Sequence, residues 1–387
     1  MSRWPTKPLG ELVDFVGGGT PRRDRPDYWG GEIPWASVKD LQSQSLETTL
    51  ENITAEGLTN SSSNLIPKGT VIIASRVGLG KVAINQKPVA INQDLKALTP
   101  RSSDLSPRYL LLFLLSKAEY FARAGVGATV KGLTLADYQK LDIVLPPLTQ
   151  QERIVKLLDE ADELRKLRGQ ADDRTGDLIP ALFYEMFGNS QFKPISVGEL
   201  TSLVTSGATP RGGEKVYVSE GPYFIRSQNV QMNRLDFSNA VCLPAEVHEQ
   251  MSRTKVASGD VLLNITGASI GRVAWVDRLD REANVSQHVC LIRPRPELLN
   301  AAYLSVFISL PSTQRFMLQV QAGASRQALN HQQVRALEIS LPPLSLQKEF
   351  ATRVSEIRTL QAEQAASRHC LDNLFQSMLQ RAFNGEL

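Results

Sequence analysis

Cysteine is scarce in this chain of 387 residues. Cys242, Cys290 and Cys370 are odd in number and widely separated, which excludes a disulfide framework and a cysteine-rich zinc cluster. Long apolar runs are missing too. The opening MSRWPTKPLGEL holds none, so a signal peptide is not expected, and the most apolar stretch, Tyr109 to Leu115, is far too short to span a bilayer. Excess charge is small: +3, with a pI near 8.7, is compatible with a polyanionic partner without selecting one. With 42% hydrophobic and 21% charged residues the composition is ordinary for a soluble protein, and the length allows two or three cored domains. A cytoplasmic location is the expectation.

Catalytic signatures are equally thin. RVGLGKVA supplies Gly80-Lys81, but Ser75 stands where a phosphate-binding loop needs its first glycine and Val82 where it needs a hydroxyl. The double prolines Pro146-Pro147 and Pro342-Pro343 have leucine on both sides, which rules out an Asn/Asp-Pro-Pro-aromatic methyltransferase motif. Pro26-Asp27 with Asp94-Leu95-Lys96 would suit a metal nuclease, yet the matching stretch SQHVCLI has no acidic partner. His248, His288, His331 and His369 all lie in the second half without ligand-like spacing, and read as packing or surface residues. No catalytic residue and no metal ligand is assigned.

What the chain does contain is itself, twice. LPPLTQQERIV begins at Leu145 and LPPLSLQKEF at Leu341, 196 residues later. The same offset places GATVKGLT (from Gly127) on GASRQALN (from Gly323). Toward the N-terminus the offset shrinks: GTVIIASRVGLGKVA resembles GDVLLNITGASIGRVA at 190 or 191, and GELV meets GELT at 188. Insertions therefore gather in the front of each half while the back keeps its register, as expected of a variable surface on a scaffold.

The front segments read as mixed α/β. TVIIAS and DVLLNIT are β-branched runs bounded by glycine, LDIVLPP and LEISLPP are strands closed by Pro-Pro, and the stretches after Ser106 and Leu298 have helical spacing. The back segments are helical. Ile154, Leu157, Ala161, Leu164, Leu178, Leu182 and Met186 recur at steps of 3 and 4, as do Val354, Ile357, Leu371, Phe375 and Met378. Such a seam needs a partner helix. Both seams turn polar in the middle (Arg168, Ala171 and Thr175; Gln361, Gln364 and Arg368), so the two long helices are expected to face each other. The boundaries are then 1–147 and 194–343 for the globular domains, with helical regions 148–193 and 344–387.

Two related but diverged modules suit a long asymmetric ligand such as DNA. The matched turns carry the right side chains. GTPRR echoes ATPRGG, which makes Thr20, Arg22, Arg23, Thr209 and Arg211 candidates for DNA contact. Lys39 lies opposite the stretch containing Arg226, Gln228 and Asn229; Arg76 and Lys81 lie opposite Arg272; Lys131 lies opposite Arg326 and Gln327. Arginine and lysine grip phosphates, and arginine, glutamine and asparagine read base edges.

The ordered, duplicated set resembles the specificity subunit of type I restriction-modification systems. It rests on LGELVDFVGGGTP and VGELTSLVTSGATP, the two strand-turn-strand segments, GATVKGLT and GASRQALN, the two LPPL entries and the closing AFNGEL. The resemblance implies two target recognition domains, each reading half of a split DNA site, and an antiparallel coiled coil that sets the spacer. The seam residues would also dock two modification (M) subunits and, through them, two restriction-translocase (R) subunits. S-adenosylmethionine, ATP and Mg belong on those partners; this chain would carry no cofactor. Ser37 stands where Arg226 stands, a departure between the halves. The competing readings are a fused methyltransferase or nuclease with an unread motif, and a coiled-coil adaptor that binds no DNA.

Overall fold

Glycine-bounded apolar runs become the central strands of each half. The structure is a computed structural model that describes residues 4–124, 133–188, 192–321 and 328–387. It divides into two units, Met1–Gly169 with Ala366–Leu387, and Gln170–Ala365. In the first, Val13–Gly17, Leu95–Pro100, Val71–Ala74, Val82–Asn85 and Ser45–Leu46 lie side by side in that order. In the second, Thr201–Ser206, Val289–Pro294, Val261–Asn264 and Val273–Trp275 repeat the first four positions. A smaller sheet accompanies each: Glu51–Ile53, Trp29–Ala36, Val89–Ile91 and Asn64–Ile66 in one unit, Val241–Cys242, Val218–Ile225 and Ala283–Val285 in the other. The sequence repeat is therefore a repeat of strand order.

The strand before each double proline closes its domain onto its own beginning. Asp142–Val144 pairs antiparallel with Thr6–Pro8, and Glu338–Ser340 with Pro194–Ser196. Buried Tyr109 and Tyr303 donate their hydroxyls to the carbonyls of Val144 (2.9 Å) and Ser340 (2.6 Å). A glutamine one helical turn past the prolines completes the joint. Gln151 accepts from Ser106 N and donates to the carbonyls of Asp104 and Pro146. Gln347 accepts from Asn300 N and donates to those of Leu298 and Pro342. Both side chains are fully buried and fully satisfied, as a buried amide must be. The helical stretch after Ser106 is two helices, Pro107–Ser116 and Ala118–Ala124, and its counterpart breaks between Ser309 and Pro311.

The second repeat ends in one continuous helix, Leu344–Phe383, whereas the first is interrupted at Asp177, giving Leu148–Gly176 and Leu178–Phe187. These helices do face each other. In the second unit Thr175 donates to Gln364 Oε1 (2.8 Å), Gln361 donates to the Thr175 carbonyl, and Phe183 and Phe187 pack on Phe350. Thr175 meets Gln364 and Phe183 meets Phe350, so rising numbers meet falling ones and the pair is antiparallel. In the first unit Arg165 donates to Asp372 (2.7 Å), bonds Asp162, and lies 4.5 Å over the Phe375 ring.

The register of the seam differs from the expected one. Ile154, Val354 and Phe375 are buried, and Leu182, Ile357, Leu371 and Met378 are half-buried, but Leu157, Leu164 and Leu178 are exposed. The inward positions are Leu158, Asp162 and Arg165, then Ile179, Phe183 and Phe187. Leucines stand at both the +3 and +4 positions, and the true stripe passes through two charged residues that satisfy each other. Apolarity therefore misplaces these three leucines, while the seam residues of the C-terminal helix keep their inward places.

Arg358 ties the C-terminal helix to the second unit's domain. Its guanidinium centre lies 3.2 Å from the centroid of the Trp275 ring and donates to the carbonyl of Asn233, the one non-glycine residue with positive φ among those described. Burial pushes its pKa down to about 10. No helix among the described residues is long and apolar enough to cross a membrane, and all three cysteines are free.

Candidate nucleic-acid interface

The two units build the same corner from different side chains. Ala36 pairs in parallel with Ile91, and Asn92 N then bonds the Ala36 carbonyl; Ile225 pairs with Val285, and Ser286 N bonds the Ile225 carbonyl. Ser37 and Arg226 are thus equivalent, as are Gln93 and Gln287. Against this corner a glycine passes at close range. A Cβ on Gly18 would lie 1.9 Å from the Ile91 carbonyl oxygen, and one on Gly207 would lie 1.6 Å from that of Val285. Only glycine allows the approach, and it delivers Thr20 and Thr209 two residues later.

In the first unit the corner opens into a cleft of about 510 Å³ lined by Thr20, Arg23, Trp35, Lys39, Gln42, Lys81 and Gln93, among others. Four separate sequence candidates, Thr20, Arg23, Lys39 and Lys81, meet there. Thr20 donates to Gln93 Oε1 (2.5 Å), and Trp35 donates to the Gly19 carbonyl. Arg23 stacks 3.7 Å over Trp29 and forks onto Glu51, whose carboxyl it holds below the usual range. Arg22 and Arg25 are similarly forked onto Asp24 and Asp27. These pairs are exposed, so each contributes little to stability and leaves its arginine exchangeable with another anion. Lys39, Arg76 and Lys81 form no ion pair among the described residues. The loop carrying Arg76 and Lys81 is pinned by Ser75, which bonds the Asp94 carbonyl through its backbone N and its hydroxyl.

In the second unit Arg226 lies 5.7 Å over Tyr217 and donates to the Asn239 carbonyl, with a buried Nε that has no partner. Gln228 is exposed on the following turn. Asn229 is not available: it is 2% exposed, its Oδ1 accepts from Arg226 N and its Nδ2 donates to the Asp236 carbonyl. This corrects its place among the surface candidates, because its amide is a capping group of the turn. Arg272 donates to Gln231 Oε1 (3.0 Å), and Thr209 and Arg211 sit on an exposed loop before the left-handed Gly212. Lys131, Arg326 and Gln327 lie outside the described residues.

Gln93 and Gln287 are not among the sequence candidates, although INQDL (from Ile91) and VSQHV (from Val285) align at an offset of 285 − 91 = 194 and share only the glutamine. Trp35 and Gln42 carried no such signal; only the fold brings them to the cleft.

Known proteins resemble this chain in sequence and fold. A specificity subunit of the MjaIX type I restriction enzyme of Methanocaldococcus jannaschii is 27% identical over 61% of this chain and 56% of its own length. That of EcoR124I/EcoR124II from Escherichia coli is 33% identical over 41% of this chain and 41% of its own. The alignments thus span about half the length of these curated relatives. A solved chain from the complex assembly and conformational transition of the type I R-M system superposes with a TM-score of 0.66 at 18% identity, covering 99% of this chain and 98% of that one. It shares the fold. The family model for the type I restriction modification DNA specificity domain matches twice, over residues 1–171 and 192–365. With both copies together spanning most of its length, the chain belongs to the type I restriction modification DNA specificity family.

Proposed function

We propose that this protein is the non-catalytic DNA-recognition subunit of a type I restriction-modification complex, with residues 1–147 and 194–343 each reading one half of a bipartite, asymmetric target. The observation that carries the reading is the matched corner: one backbone frame, built twice, with Thr20, Arg23, Lys39 and Lys81 at its cleft in one unit and Thr209, Arg226 and Gln228 beside it in the other, Arg211 and Arg272 joining the set by sequence position. A common frame with different side chains is what reading two different half-sites requires. Lys131, Arg326 and Gln327 belong to the same proposed contact set by sequence position.

The helical regions 148–193 and 344–387 set the spacer and carry the docking surface for two M subunits, with two R subunits held through them. Exposed Leu157, Leu164 and Leu178 suit subunit contact better than the intramolecular seam. Methyl donor, ATP and Mg act on those partners, in the cytoplasm. The test is fluorescence anisotropy on random-library and selected duplexes, with and without a cognate M subunit. Sequence-selective binding whose affinity falls steeply with salt is expected. Binding that ignores sequence in both conditions overturns the proposal.

A further inference from the structure

His248 lies in the short helix Ala245–Gln250 and is 1% exposed. One ring nitrogen is fixed: Nδ1 lies 2.6 Å from Asn284 Oδ1. The orientation of Asn284 is set independently, because its Nδ2 donates to the Met251 carbonyl (2.9 Å) and to Thr254 Oγ1 (3.3 Å). The atom facing His248 is therefore an acceptor, and Nδ1 carries the proton. In the neutral ring Nε2 is then a bare lone pair, and it is buried with no hydrogen-bond partner.

What Nε2 faces are further acceptors. Glu282 Oε2 lies at 3.3 Å and Glu249 Oε1 at 4.0 Å, and the three donor atoms fall within 4.8 Å of one another. Zinc bonds of roughly 2.0–2.2 Å to nitrogen and oxygen place neighbouring ligand atoms about 3–4 Å apart, the range of both distances from Nε2 to the carboxylates. A histidine that gives its other N–H to a fixed carbonyl is the usual form of a metal-bound imidazole.

The first unit shows what this position holds otherwise. Its short helix Ala55–Thr59 begins with the same Ala-Glu, and Leu58 stands where His248 stands. Ala90 pairs with Trp35 as Asn284 pairs with Phe224, and Leu58 packs against Trp35, Ile53 and Ala90. An apolar contact in one unit is thus replaced by imidazole, amide and two carboxylates in the other.

We propose that His248 Nε2, Glu249 and Glu282 bind a divalent cation of the zinc type, which staples helix Ala245–Gln250 to the strand Ala283–Val285. Both carboxylates are exposed, so the ion enters from solvent, and water completes its coordination. Lys255, now on Glu249 Oε1, moves to the other oxygen of that carboxylate when the ion takes Oε1.

The full chain, stripped with chelator and dialysed, is titrated with Co²⁺ and then Zn²⁺. Ligand-field absorption saturating at one equivalent is expected, bleached by Zn²⁺, with a rise in Tm on loading. Because His248→Ala removes a buried side chain and can unfold the domain, the deciding variants are Glu282→Gln and Glu249→Gln. Each should weaken Co²⁺ binding by more than the roughly 10–100-fold typical of losing a supporting partner. A stripped chain that takes up neither ion overturns the site, as does binding unchanged in both variants. A chain that binds no ion yet loses Tm in Glu282→Gln contains an imidazolium–carboxylate pair, and that result too overturns the proposal.

Discussion

Gln151 and Gln347 sit 196 residues apart and make the same three hydrogen bonds; Ser37 and Arg226 occupy the same corner and share nothing but backbone. The contrast separates two kinds of position. Where a polar group is buried, every hydrogen bond must be made, and few side chains make them in that geometry. Where the side chain is only half-buried, as at Ser37 and Arg226, the fold imposes no such demand, so the two copies were free to diverge. The invariant features, Gly18 with Gly207 and Tyr109 with Tyr303, are likewise ones whose replacement meets backbone or buried carbonyls.

The hardest test of this division is the buried end of it. Phe350→Ala, which empties the centre of a cluster with Phe183, Phe187 and Tyr303, should cost about 3–5 kcal/mol of the second unit's stability in urea titrations. A loss below about 1 kcal/mol would mean the cluster is not a packed core. Next in size is the register of the central helix. Leu158→Ala should cost about 2–5 kcal/mol and Leu157→Ala stay within about 0.5 kcal/mol. The reverse order would restore the row read from sequence.

Gln151→Leu and Gln347→Leu should each destabilise by about 1–3 kcal/mol, and by similar amounts, because each leaves one N–H and two carbonyls without partners. Clearly unequal losses would show that the two joints are equivalent in shape only. At the variable corner the expected effects fall on recognition instead. Arg226→Ala should relax the base preference of one half-site by about 1–3 kcal/mol and leave the other half-site unchanged, read by binding to a mismatch panel. Smallest of all, Lys81→Ala should weaken binding to every sequence alike and reduce the salt slope by about 1. A sequence-dependent loss would reassign Lys81 from phosphate to base.

Much of this was legible without coordinates. The double repeat, the strands before each Pro-Pro, the helical arms and their shared polar centre all follow from periodicity and offset; the pairing of Thr175 with Gln364 inside that centre comes from the structure. Two expectations differ from the structure, each for its own reason. Apolarity alone points Leu157 and Leu164 inward, but Asp162 and Arg165 take that face, Arg165 pairing with both Asp162 and Asp372. Asn229 reads as a surface group in the sequence because an asparagine in a turn looks the same whether it contacts a ligand or caps its own backbone.

By itself, then, the sequence determined the duplicated mixed α/β architecture and the facing helices, since hydrophobic period and turn residues act locally and repeat with the chain. Only the tertiary structure decided which polar side chains are occupied and which are presented. Thr20, Arg23, Lys39 and Lys81 come from three loops spread over more than sixty residues, and His248 meets Glu282 across more than thirty. Those meetings depend on strand pairing, and no local pattern encodes them.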